Sequence, residues 1–318
     1  MILTLGRDDS ALEYWPEIFI RMDFAMPVDT KPMRTDLPRV LILGGAGRLG
    51  TMMRAAWQAA PQAVGITPIW QARREVGLSG PVFDILTAPG ALARACAQAD
   101  VVLLLAGVTD GSADDLAVNV ALAKAVRKHA QMAGLPLIAA SSGAVYGRAS
   151  GPLGEDTPCA PLNDYGRSKC AMEAALTGMK RACALRIGNV AGADALLGVP
   201  APEGGRVLHV FADGRAPERS YIGPGALAEA VARLARLAVE APARLPEQLN
   251  LALPGVVGMD DLLRATDEHW QPAPAPDTAL PKVELDVTRA VGLGLVPEVR
   301  INAAAVVADM RRVRQRMA

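Results

Sequence analysis

The sequence predicts an α/β fold: a doubly wound parallel sheet with helices on both faces, and a smaller C-terminal part. Three observations carry that expectation. From Arg39 onward, short continuous apolar runs alternate with amphipathic stretches, the pattern of strands buried on both faces and linked by crossover helices. A glycine-rich turn follows the first of those runs. Ala is abundant while aromatics make up only 4% of the chain, which suits helices packed on a sheet better than an all-β fold. With 318 residues, about half of them hydrophobic, the chain can bury a large core.

The elements follow in order. Val40 to Leu43 is the first expected strand, and Arg48 to Ala60 the helix after it. Ile66 to Trp70 is a second strand and Asp100 to Leu105 a third, with a turn at Gly107. A helix from about Leu116 to Ala133 leads to a strand at Leu137 to Ala140, ending at Ser141. Tyr165 to Leu176 is the next helix and Cys183 to Ile187 the next strand. Beyond Asn189 the regularity falls. Gly and Pro crowd the stretch from Gly188 to Gly225, and a helix runs from about Ala226 to Val239. The Pro/Ala-rich stretch Gln271 to Pro281 reads as a surface connection rather than a strand or helix. Met1 to Pro38 has no clean period and is expected to be an extension outside the core fold.

Composition excludes several classes. Lys plus Arg equals Asp plus Glu, so no basic nucleic-acid surface is expected. No apolar run approaches the ~20 residues that span a bilayer, and the N-terminus lacks a signal-peptide pattern; a cytoplasmic protein without membrane contact is expected. Cys96, Cys159, Cys170 and Cys183 form no CxxC pair, and three histidines lie far apart. No metal site is expected, and the thiols read as buried or incidental in a reducing compartment.

Gly44-Gly45-Ala46-Gly47-Arg48-Leu49-Gly50 lies between a strand and a helix with GxxGxxG spacing. Glycines permit a tight turn and close backbone approach to a pyrophosphate, and the helix N-terminus offers free N–H groups and a positive dipole end. This is the dinucleotide turn of a Rossmann-type fold, so residues 39–189 are expected to bind the cofactor. Residues 190–318 would bind substrate, interleaved with the last sheet elements. An acid at the end of the second strand would favour NAD. Here the strand runs into Gln71-Ala72-Arg73-Arg74, and guanidinium groups suit a 2′-phosphate. NADP is therefore the favoured cofactor over NAD, although the same arginines also fit a solvated loop. Asp84 is placed to meet the adenine edge.

Tyr165 and Lys169 stand four residues apart at the start of a helix, on one face and one turn apart. A free tyrosine has a pKa of about 10 and needs help to act as a base near neutrality. A neighbouring ammonium favours the phenolate, and Lys169 could also hold the nicotinamide ribose. Upstream, Ser141-Ser142-Gly143 follows a buried strand. Strand ends of this kind bind ligands in open α/β sheets, and Ser142 could donate to a substrate oxygen there.

Taken together, these motifs resemble the extended short-chain dehydrogenase/reductase family, also called the NAD-dependent epimerase/dehydratase family. The matching residues are Gly44 to Gly50, Asp84-Ile85, Leu105-Ala106-Gly107, Asn119, Ser142 with Val145-Tyr146-Gly147, Tyr165 with Lys169, and Leu185 to Asn189. They cover about residues 39 to 310. The resemblance implies an enzyme in which Tyr165 is the general acid/base, Lys169 lowers its pKa, Ser142 polarises the reacting oxygen and Asn119 supports the active-site helix. Asn189 and Gly143 would edge the substrate. It also implies a homodimer formed through the helices of Asn119 and Tyr165, with Ala123, Val126 and Met172 at the contact or in the core.

Two departures narrow the reaction. Family 4,6-dehydratases carry an Asp-Glu pair where this chain has Gly143 and Ala144, so dehydration is not expected. Sugar-nucleotide epimerases carry an Arg before an aromatic-Ile-His-Val-x-Asp run; here Arg219 is present, the His and Asp are not, and no second Arg lies between Pro272 and Leu280. Arg215 and Arg219 are the candidate anion ligands, or a solvated loop. The first expectation is hydride transfer between NADP(H) or NAD(H) and a hydroxyl or carbonyl of a small sugar-, polyol- or sugar-acid-like molecule. A nucleotide-sugar epimerase is the second, and a non-catalytic NADP-binding regulator the third.

Overall fold

The computed structural model describes residues 36–58, 64–148 and 151–317. The expected N-terminal extension lies outside them except for Asp36, Leu37 and Pro38. The described chain runs β1 (Arg39–Leu43), α1 (Arg48–Gln58), β2 (Thr67–Gln71), α2 (Pro89–Cys96), β3 (Val101–Leu104), α3 (Ala113–Met132) and β4 (Leu137–Ser142). Next come β5 (Pro152–Leu153), α4 (Asp164–Ala174), β6 (Ala182–Ile187), β7 (Asn189–Val190), β8 (Arg206–Val210), β9 (Glu218–Arg219) and β10 (Tyr221–Ile222). The rest is α5 (Pro224–Glu240), β11 (Gln248–Leu251), β12 (Val257–Gly258), α6 (Met259–Thr266), β13 (Trp270–Pro274), β14 (Lys282–Leu285), α7 (Thr288–Gly292) and α8 (Ala303–Arg314).

Six strands form the central sheet in the order β2-β1-β3-β4-β6-β11, all neighbours parallel. This is the doubly wound, Rossmann-type α/β fold. Chain order reverses at β1, which has β2 on one side and β3 on the other, so the loops after β1 and β3 diverge and leave a crevice at the carboxyl ends. The apolar runs are buried on both faces. Leu41, Leu43, Val102, Leu104, Leu137 and Ala139 pack against Leu122, Ala123 and Val126 of α3 and Met172 of α4. Side chains alternate along a strand, so the equally buried Val40, Ile42, Val101 and Leu103 serve the other face. On that face α1, α5 and α8 pack on one another, and Trp57 Nε1 donates to the Ala228 carbonyl at 3.0 Å. Each large aliphatic side chain taken out of water contributes about 1.5–3 kcal/mol.

One expectation is corrected and one open alternative is decided. The Pro/Ala-rich stretch from Gln271 is not simply a connection: β13 pairs in parallel with β8, Trp270 opposite Arg206 through Pro274 opposite Val210. These two strands form a sheet of their own, so β13 has a free edge where Pro272 and Pro274 need donate no hydrogen bond. Ala123, Val126 and Met172 are 0%, 0% and 2% exposed. They fill the space between α3, α4 and the sheet and are core residues, not a surface for a second subunit. Among the described residues no helix is long and apolar enough to cross a membrane.

Candidate active site at the carboxyl edge of the sheet

The glycine turn is built by close contacts. Gly44 has φ +96°, and a Cβ there would stand 2.6 Å from the Ala106 nitrogen, so the ends of β1 and β3 touch only because Gly44 has no side chain. A Cβ on Gly50 would stand 2.6 Å from the Gly45 carbonyl, which lets α1 begin tightly against the turn. A Cβ on Gly47 would meet nothing but Gly44 O, at 3.2 Å. The first N–H groups of α1 have no partners within the helix, and above them lies a cavity of about 1150 Å³. A negatively charged pyrophosphate fits such a cradle.

The cavity gathers most of the expected site residues. Gly44, Gly47, Arg48, Leu49 and Gly50 line its floor sequence, and Leu105, Ala106 and Gly107 come from the loop after β3. Gln71 lines it from the end of β2 and Arg73, Asp84 and Ile85 from the segment after β2, while Ser142, Gly143, Tyr165, Lys169, Asn189 and Arg219 line it from β4 and the turn after it, α4, β7 and β9. Gln71 is buried and its amide is committed to the protein: Oε1 accepts from Gly44 N at 3.0 Å and Nε2 donates to Phe83 O at 2.6 Å. It braces the turn rather than offering a free group to a ribose. Asp84 Oδ1 accepts from the Leu86 and Thr87 N–H groups at 2.8 and 3.1 Å.

Three expected residues stand elsewhere. Arg74 is exposed and outside the cavity lining. Arg215 is exposed too; a tight turn puts it beside Asp213, whose carboxylate lies 2.6 Å from its guanidinium, so it is a solvated loop residue. Asn119 is buried behind the cavity. Its Oδ1 accepts from Val108 N at 2.8 Å, and its Nδ2 donates to Val108 O and Ser168 Oγ at 2.9 and 3.0 Å. It fastens the loop after β3 to α4.

Local packing sets the position of Tyr165. The Asn163 side chain caps α4 by accepting from Gly166 N at 2.8 Å. A Cβ on Gly166 would stand 2.5 Å from the Ala144 carbonyl, so glycine is what lets the helix start against the turn that follows Ser142. The Ser142 hydroxyl stands beside the Tyr165 phenol and favours its ionised form. Burial pushes the phenol above its ordinary value, and the Ser142 hydroxyl and the Arg48 charge pull it back. Lys169 is buried, with Nζ donating to Ala140 O at 2.8 Å and standing 5.8 Å from the Tyr165 ring centre. Burial pulls its ammonium down to about 8, opposed by the Glu173 carboxylate.

Several contacts of this neighbourhood go beyond what the sequence reading named. Arg48 reaches across the cavity, donating to Ala193 O at 3.0 Å and Thr109 Oγ1 at 3.1 Å. Asp194 lines the cavity and accepts from Tyr221 Oη at 2.6 Å. Val283 and Leu285 of β14 also line it; the alternation in Lys282-Val283-Glu284-Leu285 was the available signal. Behind the site, Glu173 accepts from Ser141 Oγ at 2.5 Å and pairs with Arg186 at 2.8 Å.

A family model described as "NAD dependent epimerase/dehydratase family" matches residues 40–214. The chain belongs to the NAD dependent epimerase/dehydratase family. No curated protein matches this family member significantly in sequence. Solved structures match it across nearly the whole fold. A short-chain dehydrogenase/reductase superfamily protein from Agrobacterium tumefaciens with bound NAD aligns at TM-score 0.68 and 20% identity, over 88% of this chain and 98% of that one. The Bordetella bronchiseptica enzyme WbmG in complex with NAD aligns at TM-score 0.68 and 23% identity, over 90% and 96%. UDP-glucose-4-epimerase from Stenotrophomonas maltophila, with bound NAD and formylated UDP-arabinopyranose, aligns at 0.67 and 22%, over 87% and 98%. At these identities the likeness establishes a shared fold.

Proposed function

We propose that this epimerase/dehydratase-family protein is an oxidoreductase that moves a hydride between a nicotinamide dinucleotide and a hydroxyl or carbonyl carbon of a small sugar-, polyol- or sugar-acid-like substrate. The observation that carries the reading is the gathering of Ser142, Tyr165 and Lys169 on one wall of the cavity that the glycine turn opens, with Lys169 Nζ 5.8 Å from the Tyr165 ring centre. The bound dinucleotide would supply the hydride acceptor or donor. Gly44 to Gly50 and the first turn of α1 would hold its pyrophosphate, and Lys169 Nζ its nicotinamide ribose. Ser142 Oγ would donate to the reacting oxygen. Tyr165 Oη would take the hydroxyl proton on oxidation and return it on reduction. The absence of a carboxylate pair at Gly143 and Ala144 weighs against water elimination. The test is net turnover: purified protein screened against alcohols, sugars and sugar acids should change the absorbance of the reduced cofactor. Turnover of a sugar without any net change would favour an epimerase instead.

The pH dependence follows from Lys169. Its ammonium is held below about 8 and lost above that, while the raised Tyr165 phenol stays protonated through the same range. Carbonyl reduction should therefore hold its rate up to about pH 8 and decline beyond. A rate that stays flat to the ordinary lysine value of 10.5 would uncouple catalysis from the Lys169 charge.

On the cofactor, the missing acid after β2 and Arg73 at the cavity support NADP, whereas the similar structures above were solved with NAD bound. With Arg74 outside the lining, the 2′-phosphate contact would rest on Arg73. Arg73→Ala should weaken NADP binding by about tenfold or more, the scale of one charge-assisted contact, and leave NAD binding unchanged. Equal losses for both dinucleotides in a fluorescence titration would show that Arg73 does not read the 2′-phosphate and would remove it as support for NADP.

A further inference from the structure

Two of the four cysteines come together in the fold although they are eleven residues apart in the chain. Cys159 is exposed and Cys170, the residue after Lys169, is half-buried, whereas Cys96 and Cys183 are buried. Two anchors bring the pair together. The Val145 carbonyl accepts from Ala160 N at 2.9 Å and from Cys170 Sγ at 3.8 Å, so the peptide following Cys159 and the Cys170 thiol share one acceptor. The Arg186 guanidinium donates to Cys159 Sγ at 3.8 Å and to the Glu173 carboxylate at 2.8 Å. Glu173 lies three residues past Cys170 on α4, so the same side chain pulls the Cys159 segment onto that helix.

We propose that Cys159 and Cys170 are a dithiol site that a hydroperoxide converts to an intrachain disulfide. Cys159, the exposed thiol, meets the oxidant first. Burial and the neighbouring Cys159 thiol push Cys170 up to about 12, which leaves Cys170 as the resolving partner and not the first target. In the first step the Cys159 sulfur attacks a peroxide oxygen, the O–O bond breaks, and sulfenic acid and water result. In the second the Cys170 sulfur attacks the sulfenic sulfur; the S–S bond forms, the S–O bond breaks, and hydroxide leaves with the Cys170 proton as water. Two thiols lose two electrons and hydrogen peroxide ends as two waters. The bond would tether the segment before α4 to α4 itself. Leu162 and Asn163 of that segment line the cavity, so oxidation would stiffen one wall of the site.

The test treats the whole folded chain with a small excess of hydrogen peroxide, quenches, and counts thiols after denaturation. The count should fall from four to two, and peptide mapping should join Cys159 to Cys170 with loss of two hydrogens. Dithiothreitol should restore all four. In Cys170→Ser the Cys159 sulfenic acid should persist and be trapped by dimedone, and in Cys159→Ser no crosslink should form. Four thiols remaining, a crosslink to Cys96 or Cys183 or between two molecules, or sulfinic acid formation at Cys159 as fast in the wild type as in Cys170→Ser would each overturn the proposal.

Discussion

Replacing Tyr165 by Phe is expected to lower turnover by about 10²–10⁴-fold, the range associated with a positioned general acid/base, while cofactor affinity stays within about twofold. The argument rests on what the substitution removes. Phe keeps the ring that packs at the start of α4 and loses only the oxygen that meets Ser142. Lys169 keeps its bond to Ala140 O, and the glycine turn is untouched, so the dinucleotide cradle survives. The loss should therefore fall on kcat and not on dinucleotide binding, measured by absorbance kinetics and by quenching of protein fluorescence on titration. Ser142→Ala should follow the same pattern with a smaller loss. If Tyr165→Phe turned over as fast as the wild type, the proton would have to move through another group, and Tyr165 would be only part of the wall.

The parts of this site that could be read in the chain are those set by local spacing. A strand, a glycine turn and a helix are consecutive, so Gly44 to Gly50 announces a phosphate cradle without knowledge of the rest of the fold. Tyr165 and Lys169 share a helix face for the same reason. The sheet was legible because its strands are buried on both sides and show as unbroken apolar runs such as Val40 to Leu43. What local spacing does not carry is the partner of a long side chain. Arg48, Arg73, Arg74, Arg215 and Arg219 look alike in sequence, yet Arg48 spans the cavity, Arg215 is held by Asp213, and Arg219 donates to the Glu218 and Leu280 carbonyls. Those outcomes depend on residues up to 145 positions away. The strand at Trp270 to Pro274 was hidden for a related reason: proline content argues against a central strand, but an edge strand needs only one hydrogen-bonding side.

Glu173 marks the same limit and carries the largest expected effect on stability. Glu173→Ala should cost about 3–5 kcal/mol, the range for breaking a buried ion pair by deleting one partner. Arg186 is 2% exposed, and burial works against its charge while Glu173 holds it above its ordinary value. Without Glu173 the guanidinium keeps only the Tyr146 hydroxyl and the Glu155 carbonyl, at 3.0 and 2.9 Å, as close oxygen partners. The Ser141 hydroxyl also loses its acceptor. Replacing both charges, Glu173→Leu with Arg186→Met, should recover much of the loss, because two apolar groups leave no buried charge. Denaturant midpoints at constant slope measure this; losses that simply add would mean the two side chains are not coupled. Glu173→Gln separates the structural effect from the chemical one. It keeps an acceptor for Ser141 but removes the charge that opposes burial at Lys169. The alkaline limb of carbonyl reduction should then move below the wild-type value of about 8, and an unmoved limb would confine Glu173 to holding β4, α4 and β6 together.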